Sequence, residues 1–497
     1  MAEKPAKGTP TTPEVVRGQH IGDVFIRRVL PVKLRRALGV PGLFSVAYGN
    51  VGSSIYYALG VVAMSALGLT PAVLMLSGIL FLFTGLTYAE GSTAMPESGG
   101  SGAFARRAFN DLVSFIASWV LMMDYIVTIA ISAFTAANYF GFFLPVFKTW
   151  PLNSIAGIVL IGGLVGLNVR GIKESSRLNM ILVVMDIFTQ VLMAGLGALL
   201  LINMPTLIQN IRWGYVPTVN QLLFGISISM VAYTGIESVA NLGSETRKPE
   251  RNIPRTIFMV FAAVMLLYSF LSMTALSAYP VYQGADGLWV TDLTEKYLED
   301  PVMGIVAAMP TTIQPILGLW VAILAVTILA IATNAGILGA SRLAYFMGQR
   351  HQLPHAISRI GTQSHVPENA IVIFSVVACV LISTGKVGFL ADLYAFGAMM
   401  AYTLAHVSII ALRIKEPKLL RPFKIPLNVK IRGREIPIPA VLGGLATGVT
   451  WFIVVYTHQL GRIVGFGWLA AGLVLYILYR RATHRSIRGK VEEEAQS

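Results

Sequence analysis

Charge is what this chain has least of. Only 12% of its 497 residues are Asp, Glu, Lys or Arg, roughly half the share of an ordinary soluble domain. With 55% apolar residues and a mean hydropathy of +0.68, it has too little polar surface to wet a globule of this length. Most of the chain must therefore face lipid or its own helices. Cysteine is nearly absent: Cys379 stands alone in an apolar run, which excludes a disulfide framework and a thiolate metal site. No early apolar stretch ends in small residues, so no cleavable leader is expected. No phosphate loop, metal-ligand cluster or nucleophile–base pair stands out, and an enzyme is not expected.

Positive charge is in excess, at a net +14, and its placement decides what it means. The apolar runs predict twelve spans, at about 39–67, 70–95, 109–145, 152–169, 178–203, 217–244, 254–279, 309–347, 367–384, 388–412, 437–457 and 463–480. They are numbered 1 to 12 below. With the N-terminus inside, all of the 38 Lys and Arg but Lys148, Arg212, Lys296, Lys386 and Arg462 fall on the cytoplasmic side. That bias places both termini in the cytoplasm of a multi-pass protein of the inner (plasma) membrane. The basic charge reads as topology, so no nucleic-acid partner is expected. The expected partners are the bilayer and a small solute, with the protein a monomer or homodimer. No cofactor is expected beyond a transported cation or a coupling proton. Residues 1–38 and 483–497 read as cytoplasmic tails, and 413–436 as a positively charged topogenic loop; 280–308 is expected to lie partly on the membrane surface.

Two spans are interrupted at matching places. Span 1 has Gly49 and Gly52 beside Asn50, Ser53 and Ser54, and span 6 has Gly235 amid Thr234, Glu237 and Ser238. Glycine and small polar residues in mid-membrane let a helix unwind, and unwound backbone is tolerated there only where it lines a protein cavity. The two spans open successive units of five helices, as inverted repeats require. The expected domains are a first repeat over 39–216, a second over 217–413, and a basic loop with two further helices over 414–482.

Three carboxylates, Asp124, Asp186 and Glu237, sit deep in spans 3, 5 and 6 with no Lys or Arg at comparable depth. Such groups are costly in lipid, so they are either protonated or accompanied by a cation. Asp124, Thr128 and Ser132 are spaced to line one helical face, with Tyr125 on the adjoining side; Thr234 and Glu237, three apart, share another. Asn50 and Tyr57 bracket the span 1 break. These hydroxyl, amide and carboxylate oxygens form a set that suits a hard cation.

The segments 88–109, 243–257, 340–360 and 421–426 (the last reading RPFKIP) resemble motifs of the amino acid–polyamine–organocation superfamily of permeases. The resemblance implies an all-α membrane protein of twelve helices in the LeuT-like five-plus-five inverted repeat. Two C-terminal helices follow, spans 1 and 6 are discontinuous, and transport is by alternating access. It also implies backbone amides at Gly52, Ser53 and Ser54 offered to a substrate carboxylate, although Ser54 replaces the usual last glycine. A narrower set resembles potassium importers of the KimA and KUP type: Asn50, Ser53, Ser54 and Tyr57 in span 1, Asp124, Tyr125, Thr128 and Ser132 in span 3, Thr234 and Glu237 in span 6, and Tyr394 in span 10. By that resemblance Asp124, Thr128, Thr234 and Glu237 would hold potassium. Asp186 aligns where proton-coupled permeases place a lysine; it is read either as a cation or proton carrier or as a structural, hydrogen-bonded Asp. Asp392 and His406 are read as structural, and Glu90 and Glu97 as gate or loop salt-bridge partners. The first reading of function is therefore a proton-coupled importer of a small cation such as potassium. The alternative is a permease for an amino acid, amine or polyamine, coupled to protons or sodium.

Overall fold

Backbone that cannot bond to water has to bond to itself, which in lipid means helices. The computed structural model describes residues 38–170, 176–211, 217–361 and 366–489, and they are mostly helical. The helices are α1 (Val40–Val51), α2 (Ile55–Ala66), α3 (Thr70–Ala94), α4 (Ser101–Ala108), α5 (Asp111–Phe140), α6 (Leu152–Val169) and α7 (Ser176–Leu200). Next come α8 (Met204–Gln209), α9 (Val219–Ser229), α10 (Glu237–Asn241), α11 (Pro249–Ala278), α12 (Asp292–Tyr297) and α13 (Pro301–Ala307). The last are α14 (Gln314–Gln349), α15 (His355–Ser358), α16 (Glu368–Ile382), α17 (Val387–Lys415), α18 (Ile438–Thr457) and α19 (Gln459–Ala482).

Among the described residues, ten helical stretches are long and apolar enough to cross a bilayer. One of them, Val40–Ala94, runs for 55 residues, about 80 Å of helix against a hydrocarbon core of about 30 Å. It is interrupted at Gly52–Ser54 and again after Ala66, where Leu67 takes a φ of 46°. The apolar α16 is shorter, at 15 residues. The expected N-terminal tail (residues 1–37), the charge at Arg212 and the last residues from 490 lie outside the described residues.

The expectation of an all-α protein is corrected in two connecting segments. Strands β1 (Val281–Gln283) and β2 (Trp289–Thr291) pair antiparallel, as do β3 (Asn428–Ile431) and β4 (Arg434–Pro437). Both hairpins lie between spans, and β3–β4 turns through Arg432 and Gly433, both with positive φ, the geometry of a two-residue hairpin loop.

Helix α5 forms the centre, packed against α14, α17, α16 and α6. Its side chains are buried on every face from Ala117 to Tyr139, and Asn110 caps its start by accepting from the Val113 amide (3.0 Å). Helices α18 and α19 pack outside, on α17. At one end, Glu90 of α3 is buried between two arginines. Arg413 donates to both of its carboxylate oxygens at 2.6 Å, and Arg421 lies at 3.3 Å. The Ile425 amide adds a fourth contact at 2.9 Å. So the 413–436 segment, expected as a positively charged topogenic loop, is also pinned to α3; breaking such a buried pair costs about 3–5 kcal/mol. Glu97 pairs with Arg350 at the surface (3.1 Å).

At the other end, the segment from β1 to α13 covers α2. The Leu298 carbonyl sits so close to Gly60 that no side chain fits there. Tyr139 of α5 donates to the Tyr56 carbonyl (3.0 Å) and accepts from the Val302 amide (3.2 Å). Lys148 holds Asp300 at 2.5 Å.

Burial, helped by the charge of Asp300 and opposed by Lys148, pushes the Glu299 carboxyl up from 4.5 to about 7. Because its folded value is raised, docking of this segment is strongest below pH 4.5 and weakens as the pH rises through 7. Amide exchange over residues 292–307, corrected for intrinsic rates, is expected to be slower at pH 5 than at pH 8. Glu299→Gln should keep it slow at both. A native segment indifferent to pH would contradict this account.

Candidate functional site

The two interruptions differ in kind. At span 1 the backbone does not unwind: Gly52–Ser54 tightens into a single 3₁₀ turn, Gly52 keeps right-handed angles (φ −64°, ψ −27°), and its N–H still bonds the Tyr48 carbonyl. The expected offer of a free Gly52 amide is thereby corrected, since a 3₁₀ turn shifts hydrogen bonds rather than abolishing them. What the turn presents is carbonyls, and side chains take them up. Ser53 and Ser54 hydroxyls donate to the Asn50 carbonyl (3.0 and 3.4 Å). Tyr268 of α11 donates to Val51, and Gln190 of α7 to Gly52 (3.2 Å).

Span 6 is broken outright. After a 3₁₀ turn at Met230–Tyr233, Thr234 is extended (φ −71°, ψ 154°) and Gly235 has φ +116°, a conformation that favours glycine. The helical i, i+3 relation expected for Thr234 and Glu237 therefore does not exist. Thr234 turns back to the Val231 carbonyl (2.9 Å). The Glu237 carboxyl folds onto the Gly235 amide (3.0 Å) and accepts from Tyr402 of α17 (2.9 Å). Asn50 closes the gap between the two interruptions, donating to Ser238 at 2.9 Å. A Cβ on Gly235 would stand 2.9 Å from the Asn50 side chain.

Around this junction lie the residues expected from sequence, all buried, none more than 3% exposed. Asp124 of α5 interacts with Glu237. Both Asp124 carboxyl oxygens and Oε1 of Glu237 lack a hydrogen bond of ordinary geometry. Thr128 is spent on the Asp124 carbonyl (2.9 Å) and on Tyr394 (2.7 Å), and Tyr57 on Ser54 (2.9 Å). Tyr125 bonds Asn241 and packs over Gly339. Ser132 is buried on α5 two turns from Asp124, and no hydrogen bond joins it to the others. Of the four residues expected to hold potassium, Thr128 and Thr234 bond to the carbonyls of their own helical segments, which leaves a lone pair on each hydroxyl oxygen.

Asp186 belongs to a neighbouring network. Its carboxyl accepts from Tyr56 (2.7 Å) and from Gln190 (2.8 Å), the same amide that holds the Gly52 carbonyl. Among the described residues none of the three carboxylates Asp124, Asp186 and Glu237 is in an ion pair with Lys or Arg. His406 is held by Thr87 (2.8 Å) and Thr84 (3.2 Å) under Gly443, a packing role.

Sequence reasoning missed Tyr402, Asn241, Gln190 and Tyr56, and named Ser238 only as a small polar residue at the span 6 break. Tyr402 had a signal: it stands eight residues after Tyr394, on the same face of α17. Ser238 and Asn241 lie in the span 6 segment already singled out, but only the break aims them at Asn50 and Tyr125.

The centre is thus buried and polar, built on an interrupted pair and walled by helices long and apolar enough to cross a membrane. The amino acid permease family matches residues 38–479, and the chain belongs to that family. It is similar to the branched-chain amino acid permease BcaP of Bacillus subtilis (strain 168), 25% identical over 489 residues, 94% of this chain and 98% of that one. It is also similar to the methylthioribose transporter of the same organism, 25% identical over 481 residues (90% and 94%). A third relative is the vacuolar cationic amino acid transporter 4 of Arabidopsis thaliana, 24% identical over 422 residues (81% and 68%). The superfamily resemblance is thus upheld. The resemblance to potassium importers finds no support, and the alternative reading of the cargo fits these relatives better.

Gly235→Ala should destabilise the fold by about 1–3 kcal/mol, the cost of a side chain at positive φ, and abolish solute binding. Adding Asn50→Ala makes room for the methyl group but leaves the strain, so the double variant should stay destabilised. Thermal unfolding of the purified variants tests this; a double variant as stable as the native protein would show that crowding alone was at work.

Proposed function

We propose that the protein carries an amino acid or amine across the plasma membrane by alternating access, with the solute's ammonium group held by Asp124 and Glu237. The observation that carries this reading is the facing pair of buried carboxyl groups, Asp124 and Glu237, three of whose oxygens have no other protein partner. An ammonium group has three N–H donors and one positive charge, and the site has no cation of its own. Membership of the amino acid permease family points the same way.

The wider architecture belongs to this proposal. Val40–Ala94 counts as two crossings and α16 as one, which gives twelve in a five-plus-five repeat with both termini cytoplasmic. Asp186 is the coupling group: a proton on it would release Tyr56 or Gln190, and Gln190 holds the span 1 turn.

Purified protein in liposomes, assayed by counterflow with labelled branched-chain and cationic amino acids, amines and rubidium, tests the reading. An amino acid or amine should exchange and rubidium should not. Asp124→Asn and Glu237→Gln should each raise the half-saturating concentration at least about tenfold, as expected when one partner of a buried charge contact is removed. Rubidium uptake with no organic solute moved would overturn the proposal. Asp186→Asn should leave counterflow intact but abolish accumulation driven by a pH gradient; if accumulation survives, Asp186 is structural.

A further inference from the structure

The β3–β4 hairpin leads straight into a membrane crossing. Strand β4 ends at Pro437 and α18 begins at Ile438, so the hairpin lies at the level where the chain enters lipid. It is a rigid element: the linker before it is pinned by Glu90 through Arg413, Arg421 and the Ile425 amide.

Its two faces differ. Side chains alternate along a strand, and directly paired residues share a face. Lys430 and Glu435 are paired, and Glu435 reaches Arg413 (3.2 Å) and Lys424 (3.4 Å), so this face turns to the protein. The other face carries Val429, Ile431 and Arg434, and all three are exposed. Leu427 and Leu420 stand out beside it, 74% and 79% exposed. Around these apolar side chains, with Arg434, are the exposed Lys418 and the turn residue Arg432, whereas Lys424 and Lys430 lie on the Glu435 side. At the foot of α17, Arg107, Lys415 and Lys418 line an open cleft with Glu416, which pairs with Arg107 at 2.8 Å and leaves the cleft a net positive charge.

A loop that only sets topology needs positive charge. It has no use for aliphatic side chains held outward on a hairpin. Apolar side chains ringed by lysine and arginine at a membrane entry match one surface, a leaflet with negative headgroups, where the aliphatic groups reach the acyl boundary and the cations meet phosphate. We infer that the outward face of the β3–β4 hairpin, with the adjoining cleft of Arg107, Lys415 and Lys418, is a docking surface for anionic phospholipid of the leaflet on which it lies.

The full-length protein in mixed micelles with equimolar phosphatidylglycerol and phosphatidylcholine, examined by native mass spectrometry, tests this. The native protein should retain phosphatidylglycerol in preference to phosphatidylcholine. The variant Lys418→Gln/Arg432→Gln/Arg434→Gln should lose that preference, by about fivefold for each charge removed. Val429→Ser/Ile431→Ser should lower retention of both lipids. Lys248→Gln/Arg251→Gln, at the start of α11, should leave the preference as it was. All of these positions are exposed, so each variant should elute as a single species of native size. The inference is overturned if the triple variant keeps the preference. It is equally overturned if the Lys248 and Arg251 variant loses as much, which would make the effect one of overall charge, or if inorganic phosphate displaces the lipid, which would make the site one for free anions.

Discussion

A helix interrupted inside a bilayer must find partners for every backbone group it releases, because neither lipid nor bulk water supplies any. Much of the centre of this protein follows from that constraint. At span 1 the tightened turn turns carbonyls outward, and Ser53, Ser54, Tyr268 and Gln190 are where they are because those carbonyls need donors. At span 6 the true break frees an amide at Gly235, and the Glu237 carboxyl is drawn back onto it. One interruption therefore demands donors and the other an acceptor, and Asn50 to Ser238 joins them.

The same demand ties the interruptions to the ends of the molecule. Gln190 links the Gly52 carbonyl to Asp186, and Asp186 links to Tyr56. The Tyr56 carbonyl is held by Tyr139, which also holds Val302 in the segment that covers α2. At the opposite end Glu90 binds α3 to the foot of α17 and to the linker beyond it. Buried ion pairs of this kind add little net stability over an apolar core, yet cost several kcal/mol when one partner is lost. They suit elements that must keep a single register while others move.

The membrane character was legible from composition, because 12% charge cannot wet a chain of this size. Span positions followed from apolar runs, since lipid admits little else. The two hairpins were not legible: three- and four-residue strands leave no periodic signal, and Gly287 and Gly433 mark turns of any kind. The site was legible in its members more than in its contacts. Asp124, Glu237, Asn50 and Tyr394 do meet one another's neighbourhoods. Helical spacing failed at Thr234 and Glu237 because the backbone between them is not helical. The potassium reading rested on counting oxygens. A sequence lists hydroxyls but does not say where they bond, and Thr128, Thr234 and Tyr57 all bond within the protein.

Charge balance constrains the cargo further. Asp124 and Glu237 interact in a fully buried site, where two negative charges at short range are strongly unfavourable. One ammonium group neutralises one of them. The second requires another positive charge, which a proton or a second amine on the solute could supply. A zwitterionic amino acid would also bring a carboxylate. The tightened span 1 turn offers that carboxylate no free Gly52 amide in this closed arrangement, and the 3₁₀ turn would have to relax to provide one. A solute with more amine than carboxylate needs no such relaxation. On the proposed reading, the geometry of Gly52 and the excess of carboxyl groups act together: the more cationic the solute, the less the span 1 turn would have to change to hold it.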